Sequence, residues 1–118
     1  MTIQEIASRL AELCKTDDSQ AAYNELFAED AVAIEPEYAP GPSVTKGLDN
    51  LRAKSKEFQG AIQEVHSDFV SEPLVAGNYI SLAMGMDVTM KDGSRMNMEE
   101  ICLYKVQDGK IVEERFFY

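Results

Sequence analysis

Tryptophan is absent from this 118-residue chain, histidine occurs once, cysteine twice and proline four times, and only 11 basic residues face 21 acidic ones. Each shortage excludes something. The single histidine, His66, has no HxxxH or HxE spacing, and Cys14 and Cys102 have no CxxC partner. The ligand clusters that hold zinc are therefore missing, and neither a metal nor a cofactor is expected. Two isolated thiols, one of them in an apolar helical stripe, suit reduced side chains in a cytoplasmic protein better than a disulfide framework. A net charge of −10 repels phosphate backbones and anionic bilayers, so neither nucleic acid nor membrane is an expected partner. No apolar run approaches the ~20 residues that cross a bilayer. The start, MTIQEIASRL, lacks the basic-then-apolar pattern of a leader, and no targeting segment is expected. A Gly-rich phosphate cradle and a GxSxG elbow are also missing, which removes nucleotide cofactors and serine-hydrolase chemistry.

What remains is a chain that is 45% hydrophobic, enough for one continuous core in a single domain spanning residues 1–118. Ile3, Ile6, Leu10, Leu13 and Cys14 recur at helical spacing and predict a first amphipathic helix over residues 2–14. Asp17, Asp18 and Ser19 offer capping chemistry for a short second helix with Ala22, Leu26 and Phe27 on one face. Ala31 to Ile34 reads as a strand. The segment from Glu35-Pro36 to Gly41-Pro42 holds three of the four prolines and must be a loop. Thr45 is placed to cap a third helix carrying Leu48, Leu51 and Phe58.

From Ala61 onward the period changes to that of strands. Ile62 to Val70 is one, with Glu72-Pro73 marking an edge or bulge. Asn78 to Met90 alternates, placing Leu82, Met84, Met86 and Val88 on one face. Lys91-Asp92-Gly93 turns the chain into Ser94 to Val106, and Gln107-Asp108-Gly109 turns it into Ile111 to Tyr118. Helices followed by an antiparallel meander make an α+β fold, whose sheet must curl around the helices. If both turns are three-residue loops, Met86 faces Met98, Met84 faces Glu100, Leu82 faces Cys102 and Cys102 faces Glu114. A two-residue loop at either turn would send the partner's side chains to the other face. One face then gathers Leu82, Met84, Met86, Met98, Glu100, Cys102, Tyr104, Glu114, Phe116 and Tyr118, two carboxylates in an apolar field. The opposite face carries Ile101, Leu103 and Phe117, enough apolar surface to expect a homodimer through it.

The run Phe27-Ala28-Glu29-Asp30-Ala31-Val32-Ala33-Ile34-Glu35-Pro36, with Gly47 before a helix and Asp108-Gly109-Lys110-Ile111-Val112-Glu113 near the end, resembles the nuclear transport factor 2-like superfamily. Within it, the SnoaL-like and ketosteroid isomerase-like proteins look most similar. The resemblance covers nearly the whole chain. It implies three N-terminal helices packed in a strongly curved antiparallel or mixed sheet, a cone-shaped, cystatin-like α+β roll with a pocket at its open end. It also implies that Glu35 stands where a ketosteroid isomerase carries its general-base Asp. The oxyanion-binding Asp of that enzyme falls at Cys102 and its Tyr partner near Leu10 or Ala11, so that pair is missing and steroid isomerisation is not expected. His66, Met98, Glu100, Glu114, Phe116 and Tyr118 match inward-facing positions.

The candidate catalytic residues are accordingly Glu35, His66, Glu100 and Glu114. Lys54 joins the apolar and aromatic residues of the inner face as a ligand contact. Glu100 and Glu114 cannot be buried unpaired, and Lys54 or His66 is a candidate partner for them. Five of the six methionines lie between Met84 and Met98; their flexible thioethers suit a greasy ligand or a gap-filled core. Two readings stand open. One is a cofactor-independent protein that binds a small, mostly apolar ligand and transfers protons in an isomerisation, cyclisation or dehydration. The other is a binding or dimerisation module without chemistry.

Overall fold

Thr2 and Glu5 begin the fold with a reciprocal cap. The Glu5 N–H donates to Thr2 Oγ1 at 3.1 Å and the Thr2 N–H to Glu5 Oε1 at 2.8 Å, satisfying two amides that a helix start leaves over. The resulting α1 spans Ile3–Lys15. The computed structural model describes residues 1–16 and 18–118. Asp17, expected among the caps of the second helix, lies outside the described residues. Asp18 caps α2, Ser19–Leu26, by accepting from the Ala21 N–H at 3.0 Å.

Phe27 does not extend that helix; it opens β1, Phe27–Ile34, four residues earlier than the sequence pattern suggests. A short β2, Val44–Lys46, returns antiparallel to β1. Thr45 pairs with Ala33 in that ladder, so it does not cap α3, Leu48–Gly60. Gly47 takes the N-cap at φ 89°, a left-handed conformation that costs glycine nothing. Next come β3 (Ile62–Val70), β4 (Leu74–Ala76), β5 (Tyr79–Met90), β6 (Arg95–Gln107) and β7 (Lys110–Phe117). The three residues of β4 are too few to show a period, which is why the sequence hides this strand.

The strand order is β2-β1-β7-β6-β5-β3, with β4 also paired to β5. Only β1 and β7 run parallel; the fold is α+β around a mixed, curved and unclosed sheet. Bulges in the β1–β7, β3–β5 and β6–β7 ladders bend it. The first hairpin has the expected three-residue loop with Gly93 at φ 90°, and Met86–Met98, Met84–Glu100 and Leu82–Cys102 pair as the alternation predicts. The second differs. Asp108 and Gly109 are both left-handed, at φ 53° and 77°, in a two-residue turn between Gln107 and Lys110. Such a turn alone would reverse the facing of β7. Val112 is an extra residue between the pairs Val106–Ile111 and Lys105–Glu113, and it reverses the facing once more. Glu114 therefore still points inward, opposite Tyr104 rather than Cys102, and Phe116 takes the place beside Cys102.

The inner face packs on the helices. Ile6 and Leu10 of α1, Leu26 of α2 and Leu51 of α3 meet Ile80, Leu82, Cys102 and Ile111, all 2% exposed or less. Each large side chain contributes on the order of 2 kcal/mol by leaving water. Leu82, Cys102 and Tyr104, expected to line a pocket, belong to this packed core. Among the described residues no helix is long and apolar enough to cross a membrane.

Candidate active site

Register on the inner face decides which polar side chains meet. Ala33 of β1 lies beside Glu114 of β7, and Glu114 beside Tyr104 of β6. The next inward row toward the open end therefore brings Glu35, just past β1, level with Phe116 and Cys102. One row further, Tyr118 follows Phe117 to stand level with Glu100, which pairs with Met84. Inward rows are ~7 Å apart along a strand and neighbouring strands ~4.8 Å apart, so three carboxyls share a small patch at the open end of the sheet.

Two helices complete the group. Lys54 of α3 donates from Nζ to Glu35 Oε1 at 3.1 Å, and Tyr118 donates its hydroxyl to Glu35 Oε2 at 2.8 Å. Both carboxylate oxygens are thus held, while 16% of the Glu35 side chain stays open to solvent. Tyr23 of α2 donates to Glu114 Oε1 at 3.3 Å. Its ring is fixed edge-on against Phe27, which meets Tyr104 in the same way. Cys102 Sγ lies 3.5 Å from Glu100 Oε1.

Burial shifts the protonation of two of these carboxyls. Glu114, 5% exposed, loses its hydration and is pushed up to about 8; the Tyr23 hydrogen bond opposes that rise, and the charges of Glu35 and Glu100 add to it. Glu100 is raised for the same leading reason, with the Cys102 thiol opposing and Glu35 adding. Burial likewise holds the Cys102 thiol and the Tyr23 hydroxyl in their neutral forms. The arrangement is a carboxylate held by a cation and a phenol beside two carboxyls that burial favours as neutral acids. That division of roles suits proton abstraction by one group and proton donation by another.

The structure brings together Glu35, Lys54, Glu100, Glu114 and Tyr118 but leaves His66 out. Val65 pairs with Val88 and Ser67 with Asp87, which makes His66 the extra residue of a bulge in β3. Its Nε2 lies 2.6 Å from Thr89 Oγ1, on the outer face near Asp87. The inward position that the family resemblance implied for His66 is lost at that bulge. Lys54 pairs with Glu35 rather than with Glu100 or Glu114. Tyr23 is the member that sequence reading missed; the signal was a phenol on the apolar face of the second helix, one turn before Phe27, since a buried hydroxyl needs a partner.

Met84 and Phe116 pack against the core, and Met86 and Met98 are half-buried beside the group. Tyr118, 51% exposed, and Tyr38, 74% exposed, meet edge to face at its rim. Two surface depressions lie elsewhere, one against Glu29, Asp49 and Arg52 and one against Asp30, Asp108 and Lys110. Among the described residues no three His, Cys, Asp or Glu side chains converge as a metal-binding group.

A family model described as a SnoaL-like domain matches residues 1–118. The chain is similar to a protein from Mesorhizobium loti described as a candidate SnoaL-like polyketide cyclase and as a carbohydrate phosphatase. The two are 42% identical over 100% of each chain, with a TM-score of 0.90. A protein of unknown function with a cystatin-like fold from Xanthomonas campestris superposes with a TM-score of 0.75 at 18% identity, over 99% of this chain and 90% of that one. A candidate isomerase from Bacillus subtilis does so with a TM-score of 0.75 at 23% identity, over 98% and 88%. These last two show a shared fold. No curated protein matches the chain.

Proposed function

The chain belongs to the SnoaL-like domain family, and from the group at the open end of its sheet we propose a cofactor-independent acid–base protein acting on a small, mostly apolar ligand that carries a carbonyl. One observation carries the reading. Glu35, gripped by Lys54 and Tyr118 at the rim, shares the inner face with two carboxyls that burial holds toward their neutral forms. In the proposed step Glu35 takes a proton from the carbon next to the carbonyl. The C–H electron pair moves into the enolate, whose oxygen accepts a hydrogen bond from Glu100 when that carboxyl carries its proton, the form that burial favours. Glu114, deeper and tied to Tyr23, supplies the neighbouring proton store. Return of the proton to another carbon isomerises the ligand; attack of the enolate on a second carbonyl closes a ring, and loss of water follows. Met84, Met86 and Met98 offer adaptable apolar contact on the same face, with Phe116 and Tyr118 beside them.

The Mesorhizobium loti relative, described as a candidate polyketide cyclase, is in keeping with carbonyl chemistry of this type. The rival reading, a binding module without chemistry, draws on the closed packing of Leu82, Cys102 and Tyr104. Deuterium exchange from D₂O into bicyclic ketones headed by β-tetralone, followed by proton NMR, separates them. The catalytic reading predicts loss of the α-proton signal faster than in buffer, with Glu35→Gln slowing it by ~10²–10⁴-fold. Exchange at the buffer rate, or at full speed in Glu35→Gln, would contradict it.

A further inference from the structure

We propose that Cys102 is the positioning residue of Glu100: its thiol, by donating to Oε1, keeps the acid proton on Oε2, the oxygen turned toward the ligand. The assignment rests on the acid–base reading above and adds a part to it. A carboxylic acid serves as a donor only when its proton sits on the oxygen that faces the reacting atom. A glutamic acid by itself does not decide which oxygen that is.

The inner face of β6 supplies the decision. Glu100, Cys102 and Tyr104 follow at every second residue, opposite Met84, Leu82 and Ile80. Their side chains therefore stand in one column, each ~7 Å deeper than the last. Cys102 is 0% exposed and Tyr104 3%. Cys102 Sγ lies 3.5 Å from Glu100 Oε1, and Tyr104 reaches the same sulfur from the deeper side. The phenol is the stronger donor of the two, so its O–H goes to the sulfur and the single thiol hydrogen is left for Glu100. An oxygen that accepts from the thiol is the carbonyl oxygen of the neutral acid, and the proton then sits on the other one. Among the described residues Oε2 makes no hydrogen bond, and no buried side-chain oxygen lacks a partner. Oε2 is therefore in reach of solvent, on the side away from the core.

A thiol suits this task. Glu35 is gripped by an ammonium and a phenol, whereas Glu100 receives a weak donor that directs the proton and does little to stabilise the anion. Desolvation raises Glu100, and the thiol opposes that rise; a hydroxyl in its place would oppose it more strongly. Glu35 and Tyr118 at the rim, Glu114 on β7 and Tyr104 are the other titrating groups that face this pair.

Exchange of the α-proton of β-tetralone, together with infrared spectroscopy of the S–H stretch, tests the assignment on the full chain. Cys102→Ala should lower the saturated exchange rate about 3–10-fold, the worth of one neutral hydrogen bond. The half-saturating ketone concentration should not change, because Cys102 does not touch the ligand. Cys102→Ser restores a donor and should recover the wild-type rate on the acid side of the pH profile, while its stronger hydrogen bond moves the basic limb to lower pH. In Cys14→Ala, which leaves Cys102 as the one thiol, the S–H band should lie below that of a free thiol and fall further as Glu100 loses its proton. Adding Glu100→Gln should abolish that further fall. A free-thiol band indifferent to pH, Cys102→Ala exchanging at the wild-type rate, or a serine variant no faster than the alanine one overturns the proposal. Wild-type exchange at the buffer rate overturns the acid–base reading and the catalytic part of this one with it, and a pH-dependent band would then still place the thiol on Glu100.

Discussion

Glu114 ties stability to pH through a single proton. Its carboxyl titrates at 4.5 when free and near 8 when folded, so the folded chain binds the proton more tightly than the unfolded one. The stability this confers is complete below pH 4.5 and is lost as pH rises through about 8. Glu114→Gln keeps an acceptor for Tyr23 and removes the charge. Thermal melts should find that variant close to wild type at pH 4 and at least ~4 °C higher at pH 9. Wild type and variant melting with the same pH dependence would contradict the assignment. Glu100, raised for the same reason, leaves a weaker slope of the same sign in the variant. At this scale Glu100, Glu114 and Tyr118 were legible because period-2 alternation places them on the inner face, and Glu35 because the family resemblance marks its position. His66 was not, since a single bulge re-aims it. The Tyr23–Glu114 contact joins residues 91 positions apart, and no local pattern reports it.

Elements carry the next layer of specification, and Gly85 in β5 is where one of them is tightest. A Cβ there would lie 2.6 Å from Phe69 Cε1 and 2.7 Å from the Met98 carbonyl oxygen. The ring of Phe69 is free to turn, but the carbonyl belongs to the neighbouring strand and can move only with its ladder. Gly85→Ala should therefore destabilise the fold by about 1–3 kcal/mol, read from urea unfolding, although glycine-to-alanine changes in a strand are ordinarily neutral or favourable. An unchanged or raised midpoint would show that the close approach is absent. Helices, long strands and the first hairpin follow from apolar period and the position of Gly93. What escaped was short or offset: β4 has three residues, β1 begins inside an apparent helix, and the second hairpin combines a two-residue turn with a bulge at Val112. Those two offsets happen to preserve the facing, so the inward set in β7 was right while its partners in β6 were displaced by two.

The whole molecule joins these scales through charge. The acidic excess gives the chain −10 at neutrality, yet two of its acids, Glu100 and Glu114, sit beside Glu35 on the inner face of the curved sheet, where desolvation favours their neutral forms. Fold class was legible from the change of period midway along the chain; the grouping at the open end was legible only in part, because α2 and α3 supply Tyr23 and Lys54 from outside the strand register. The central claim is that Glu35 and the buried carboxyls of Glu100 and Glu114 act on one another as a single site. Carbon-13 NMR titration of the glutamate carboxyls, in the wild type and in Glu35→Gln, measures that coupling directly. Glu114 should titrate near 8 in the wild type and at a lower pH in Glu35→Gln, where a negative neighbour is gone. A Glu114 that titrates in the ordinary carboxylate range, or that ignores the loss of Glu35, would contradict the account.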